Sequence, residues 1–181
     1  VSDSGRHGGV WDMVASRLPW LLLNTLTAAL AVSVIQAFEA QIAQVVTLAV
    51  LMPIVASLGG NGATQTLTVA VRALASRELS AVNAVRTVSR EMLVGLVNGG
   101  VLAVVTGVAI YLVFGDLRLC AAFGAAIIIN MFVAAVAGAL VPLALERMGR
   151  DPAVSSAVFV TFVTDFTGFF AFLGIAALIL L

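Results

Sequence analysis

From Leu18 to Phe38 the chain runs 21 residues without a charge. A helix of that length spans about 31 Å, one hydrocarbon core of a bilayer. Long, sparsely charged runs return four more times, at about Ile42–Ala75, Glu91–Phe114, Leu119–Leu145 and Pro152–Leu181. In lipid every backbone polar group must be satisfied internally, and runs this long and apolar read as membrane-spanning helices. Composition agrees: 62% of the 181 residues are hydrophobic and 10% are charged, against about 25% charged in soluble domains. The expectation is an all-α integral membrane chain with five transmembrane helices. A polar, Gly-rich segment, 1–16, lies in the cytoplasm or at the interface, and 17–181 is the membrane domain. Trp11 and Trp20 flank the first run, as interfacial aromatics do. Arg17 before Pro19 suits a first helical turn.

The second run is too long for one upright helix, since 34 residues would reach about 51 Å. It carries Pro53 and then Gly59-Gly60-Asn61-Gly62. This predicts a second helix broken at Gly59-Gly60, a feature membranes tolerate where the freed backbone is buried or faces water. Beyond the break Ser57, Asn61, Thr64, Gln65, Thr68 and Arg72 recur at spacings of three and four, one polar stripe that must point at other helices or at water. Residues 76–90 read as a short turn and an interfacial helix that continues into the third span. In that span Gly95 and Gly99 form a small-xxx-small pattern for close helix packing. Asn98 and Asn130 read as interhelical hydrogen-bond partners.

All nine cations are arginines. Arg6, Arg17, Arg72, Arg77, Arg86, Arg90, Arg147 and Arg150 fall on one side of a five-span topology, and Arg118 alone on the other. The positive-inside rule puts the N-terminus in the cytoplasm and the C-terminus outside.

One carboxylate, Asp165, has apolar sequence for many residues on both sides. It lies 13 residues after Pro152, about 20 Å along a helix and therefore deep in the bilayer. A charge there costs about 3 kcal/mol on insertion scales, and such a residue is a functional candidate by default. Ala157, Thr161, Thr164, Asp165, Gly168 and Phe172 share a helical face, while Phe159, Phe162, Phe166, Phe169 and Phe170 crowd elsewhere. A bland role as helix–helix glue is the alternative to an ion site. The candidate ligands are all oxygens, which suits a hard cation such as Mg²⁺, Ca²⁺, Mn²⁺ or Na⁺. A dication wants two charges, and a two-fold homodimer would bring two copies of Asp165 together. Gly59, Gly60, Asn61, Thr64 and Gln65 of the second helix would supply the facing wall. The same glycines would also serve close packing alone. With one cysteine and one histidine (His7), neither a disulfide, a Cys cluster nor a His-ligated metal is expected. No acid pairs with Asp165 and no Ser/His arrangement exists, so an enzyme is not expected. A net charge of zero gives no reason to expect nucleic acid as a partner.

The residues Met52-Pro53-Ile54-Val55-Ala56-Ser57-Leu58-Gly59-Gly60-Asn61-Gly62-Ala63-Thr64-Gln65-Thr66, followed by Val71-Arg72-Ala73-Leu74-Ala75, resemble the second transmembrane helix of MgtE magnesium channels. Arg17-Leu18-Pro19-Trp20-Leu21, Asp151-Pro152-Ala153 and Thr164-Asp165-Phe166-Thr167-Gly168 are similar to other parts of that family. The resemblance implies a homodimeric Mg²⁺ channel of the bacterial inner membrane, with the pore at the dimer interface lined by the second and fifth helices. It implies that Asp165 holds a largely hydrated Mg²⁺, and that Thr161 and Ala157 line the pore one and two turns earlier. Ala157 departs from the family, which can carry Asn there. The cytoplasmic regulatory domains typical of the family are expected to be absent from this chain.

The function expected is therefore a Mg²⁺-selective channel or facilitated transporter driven by the membrane potential, with Mg²⁺ as the transported ion. Its partners are a second copy of the chain and the lipid bilayer. A cation/H⁺ or Na⁺-coupled secondary transporter with Asp165 as the switching carboxylate is the alternative. A non-conducting assembly subunit, with Asp165 as helix glue, is the structural one.

Overall fold

A computed structural model of the chain describes residues 9–76, 81–149 and 151–181. It contains α1 (Val10–Ala37), α2 (Glu39–Gln44), α3 (Thr47–Ala75), α4 (Ala81–Phe114), α5 (Leu117–Arg147) and α6 (Pro152–Leu180). All but α2 are long and apolar enough to cross a membrane, so the five-span expectation holds. The expectations that rest on Arg6, His7, Arg77 and Arg150 lie outside the described residues.

α1 begins at Val10, ahead of Arg17, so Pro19 sits inside the helix rather than in its first turn. The start is set by Gly9, whose N–H donates to Asp12 Oδ2 at 3.1 Å while its carbonyl accepts from Asp12 N at 3.0 Å. The Asp12 carboxylate thus sits at the positive end of the helix, where it is stabilising. α1 packs chiefly on α6. At its end the Phe38 ring meets Phe170 edge-on, with centroids 6.2 Å apart.

The second apolar run does divide, but not at Gly59-Gly60. The short α2 ends at Val45, whose backbone is extended (φ −129°, ψ 81°), and α3 begins at Thr47. From there the helix is continuous through Pro53 and Gly59-Gly60-Asn61-Gly62. Pro53 is exposed and leaves the i−4 carbonyl of Ala49 without an N–H donor. The glycines serve close packing. A β-carbon at Gly59 would overlap the Asn130 amide, and one at Gly62 would stand 2.8 Å from Met131 Cε. Lipid gives no hydrophobic drive between helices, so contact depends on small residues that let backbones approach.

α5 is the centre of the bundle and packs against α3, α4 and α6. Asp116 caps it, its Oδ1 accepting from Arg118 N at 2.8 Å and Leu119 N at 3.3 Å, after a turn in which Gly115 takes φ +69°. Small residues fit α5 to its neighbours. An added β-carbon would meet the Met131 carbonyl at 2.8 Å from Gly95 of α4, and the Ala63 carbonyl at 2.7 Å from Gly138 of α5. The Gly95/Gly99 pattern thus packs α4 onto α5. Toward the α2 end the core is larger in grain. Phe123 and Phe172 meet edge-on at 5.5 Å, with Leu48, Val55, Ile127 and Leu173 buried among the same cluster. α6 lies against α5, α3 and α1.

Candidate ion pathway on α3 and α6

The polar face expected on the last helix is open at its start and covered further along. Ala157 and Thr161 are exposed, and Asp165 one turn further is half-buried. Thr164, Gly168 and Phe172 are buried inside the bundle. At about 100° per residue, seven residues bring a side chain back to within about 20° of the same direction, so Thr161 and Gly168 differ in height along α6 rather than in face. Thr164 uses its hydroxyl internally, donating to the carbonyls of Val160 (3.1 Å) and Thr161 (3.0 Å).

α3 divides by face. Asn61, Thr64 and Gln65 are exposed, Gly60 is half-buried and Gly59 is buried. Thr64 Oγ1 donates to the Gly60 carbonyl at 2.8 Å, and Thr68 Oγ1 to the Thr64 carbonyl at 2.8 Å. The exposed strips flank the line where the two helices meet, since a β-carbon at Gly60 would stand 4.0 Å from Thr164 Oγ1. Among the described residues no hydrogen-bond or ion-pair partner meets the Asp165 carboxylate. Nor do three of His, Cys, Asp or Glu converge anywhere among them. A cation here would meet one carboxylate per chain, neutral oxygens and water.

Behind the strips lies Asn130 of α5, completely buried. Its Nδ2 donates to the Val55 carbonyl of α3 at 3.0 Å. β-Carbons added at Gly59 or at Gly168 would both collide with the same amide. Asn130 is therefore the interhelical partner expected from sequence, tying α3, α5 and α6 together behind the exposed face. Asn98 is not. It is exposed and lines a groove between α3 and α4. The same groove contains a residue that the sequence reading did not single out, Glu91, whose Oε2 accepts from Thr66 Oγ1 at 3.1 Å. Its signal was a lone acid at the head of an apolar run. A further hollow of about 520 Å³ opens locally between the first half of α1 and the start of α6, lined by Arg17, Trp20 and Asn24 and by Ala157 and Thr161.

Residues 52–175, from the second turn of α3 to near the end of α6, match the family model of MgtE, described as a divalent cation transporter. The chain belongs to the MgtE family. Among curated relatives, the magnesium transporter MgtE of Enterococcus faecalis is 34% identical over 168 residues, 91% of this chain. Those of Bacillus subtilis and Thermus thermophilus are 30% and 34% identical over 88% and 91% of it. The chain spans 36% of the length of each of these MgtE relatives. The matched region of the MgtE family holds both exposed strips, Asn130 and Asp165.

Proposed function

We propose that this chain is the ion-conducting domain of a Mg²⁺ channel or facilitated transporter that works as a homodimer. The observation that carries the reading is that the half-buried Asp165 carboxylate, one turn beyond the exposed Thr161, meets no hydrogen-bond or ion-pair partner among the described residues. Lipid there would leave a charge and the amides of Asn61 and Gln65 unsatisfied, which costs several kcal/mol for the charge alone. A second copy placed on a two-fold axis covers the strips with one another and brings two aspartates to one cation. Repulsion between the two carboxylates is relieved when a dication sits between them. Mg²⁺ dehydrates reluctantly and accepts a site of few carboxylates with water completing its shell. The names of the relatives support Mg²⁺ as the transported ion. The membrane potential supplies about 4.6 kcal/mol for a dication at 100 mV, from about 2.3 per charge. The arginine bias orients the N-terminal end of α1 to the cytoplasm.

The testing experiment is Mg²⁺ uptake into liposomes under an imposed potential, with pH read in parallel. Asp165→Asn is expected to abolish uptake while the dimer persists. Unchanged uptake in that variant would overturn the reading, and uptake that moves protons would replace a channel by a coupled transporter.

A further inference from the structure

α3 and α4 both pack on α5 but not closely on each other, and the largely apolar groove between them carries a few polar side chains, among them one carboxylate. Its two hollows, about 220 Å³ and about 410 Å³, share Gly62, Gln65, Asn98 and Met131 and therefore adjoin. Gln65 and Thr66 project from one wall, Glu91 and Asn98 from the other, over a floor of Met131 and Ala135. The Thr66 hydroxyl is buried and donates to Glu91 Oε2. That bond uses one carboxylate oxygen as an acceptor and leaves the other for a ligand. Among the described residues Thr66 is the hydrogen-bond partner that Glu91 has. Arg90 is adjacent in sequence, but neighbouring side chains on a helix do not face one another. A half-buried carboxylate with one neutral hydrogen-bond donor in a largely apolar groove gains from a cation that offsets its charge.

We propose that Glu91, with Gln65 and Asn98, forms a second cation site in this groove, separate from Asp165. Its ligand is a hard divalent cation that keeps most of its water. The donors are oxygens throughout, and the smaller hollow has room for an ion with several waters at about 30 Å³ each. Gln65 joins the site to the exposed strip of α3, so a cation passing along that strip meets Glu91 at the arginine-rich end of the bundle. The relevance of the site to transport rests on the channel reading above; the binding itself does not.

The test is Mn²⁺ binding to the whole chain in nanodiscs, followed by electron paramagnetic resonance. Glu91→Gln is expected to remove one class of bound Mn²⁺, or to weaken it at least tenfold, whereas Asp165→Asn leaves that class intact. A Glu91→Gln isotherm that superimposes on the parent would overturn the proposal. If Glu91→Gln does not assemble, Gln65→Ala and Asn98→Ala decide the matter. Each is expected to weaken the same class several-fold with the metal-free melting midpoint unchanged, and unaltered Mn²⁺ affinity in both overturns the site. Retained uptake in Asp165→Asn would sink the channel reading and leave this binding result standing.

Discussion

Asn130 reaches from α5 to α3 and donates its side-chain N–H to the backbone carbonyl of Val55 at 3.0 Å. The same amide fills the space that Gly59 and Gly168 leave open. Three helices thus share one polar side chain directly behind the exposed face that carries Asp165. Asn130→Ala removes the bond and opens a cavity among all three. A stability loss of about 1–2 kcal/mol is expected, since interhelical hydrogen bonds in membranes average well under 2 kcal/mol and the cavity adds to that. Thermal unfolding in detergent, followed by circular dichroism, checks it. A midpoint equal to that of the parent would show that the amide holds nothing together.

Glycines in the same helices should behave oppositely according to what they face. Gly59→Ala collides with Asn130, and overpacking of this kind costs about 1–3 kcal/mol. Gly100 has open space around it. Gly100→Ala is expected to be neutral or to stabilise by up to about 1 kcal/mol, through helix propensity. The pair of melting midpoints should separate accordingly.

Thr161 and Thr164 are three residues apart on α6, one exposed and one fully buried. In a Cys120→Ala background, which removes the native cysteine, Thr161→Cys should react with a small charged thiol reagent and Thr164→Cys should not. Equal labelling of the two would contradict the orientation of α6. The same geometry predicts that Thr164→Ala changes uptake little, because its hydroxyl serves its own helix.

Asp165 has no hydrogen-bond or ion-pair partner among the described residues. Replacing it with asparagine removes a desolvated charge without removing a partner. The Asp165→Asn protein should therefore melt at the parent temperature or higher in the absence of divalent cation. It should also lose most of the Mg²⁺-dependent rise in melting temperature that linkage gives a binding protein. A lower midpoint without metal would identify Asp165 as structural glue.

The five spans were legible because their lengths match the bilayer. Asp165 and the α3 strip were legible because periodicity places them. Gly59-Gly60 was misread as a break. A local Gly-Gly-Asn-Gly sequence looks helix-breaking until Asn130, 75 residues away along the chain for its bond to Val55, supplies the neighbour that uses the space. The start of α1 was missed because its cue is one Gly9–Asp12 bond in a polar segment. The Glu91 groove was invisible for a different reason. It exists because α3 and α4 do not pack together, and periodicity along one helix cannot report a gap between two.

The placement of α6 also bears on how the bundle is made. It is the last of the six described helices, yet it is the one that α1 leans on, and it also lies against α3 and α5. During synthesis α1 is made before the other described helices, and its main neighbour α6 after them. Until α6 is inserted, α1 and the small-residue face of α3 wait in lipid without it. The helix that carries Asp165 is thus also the closing piece of assembly, so a bundle that lacks the carboxylate helix is one whose first span has no place to dock.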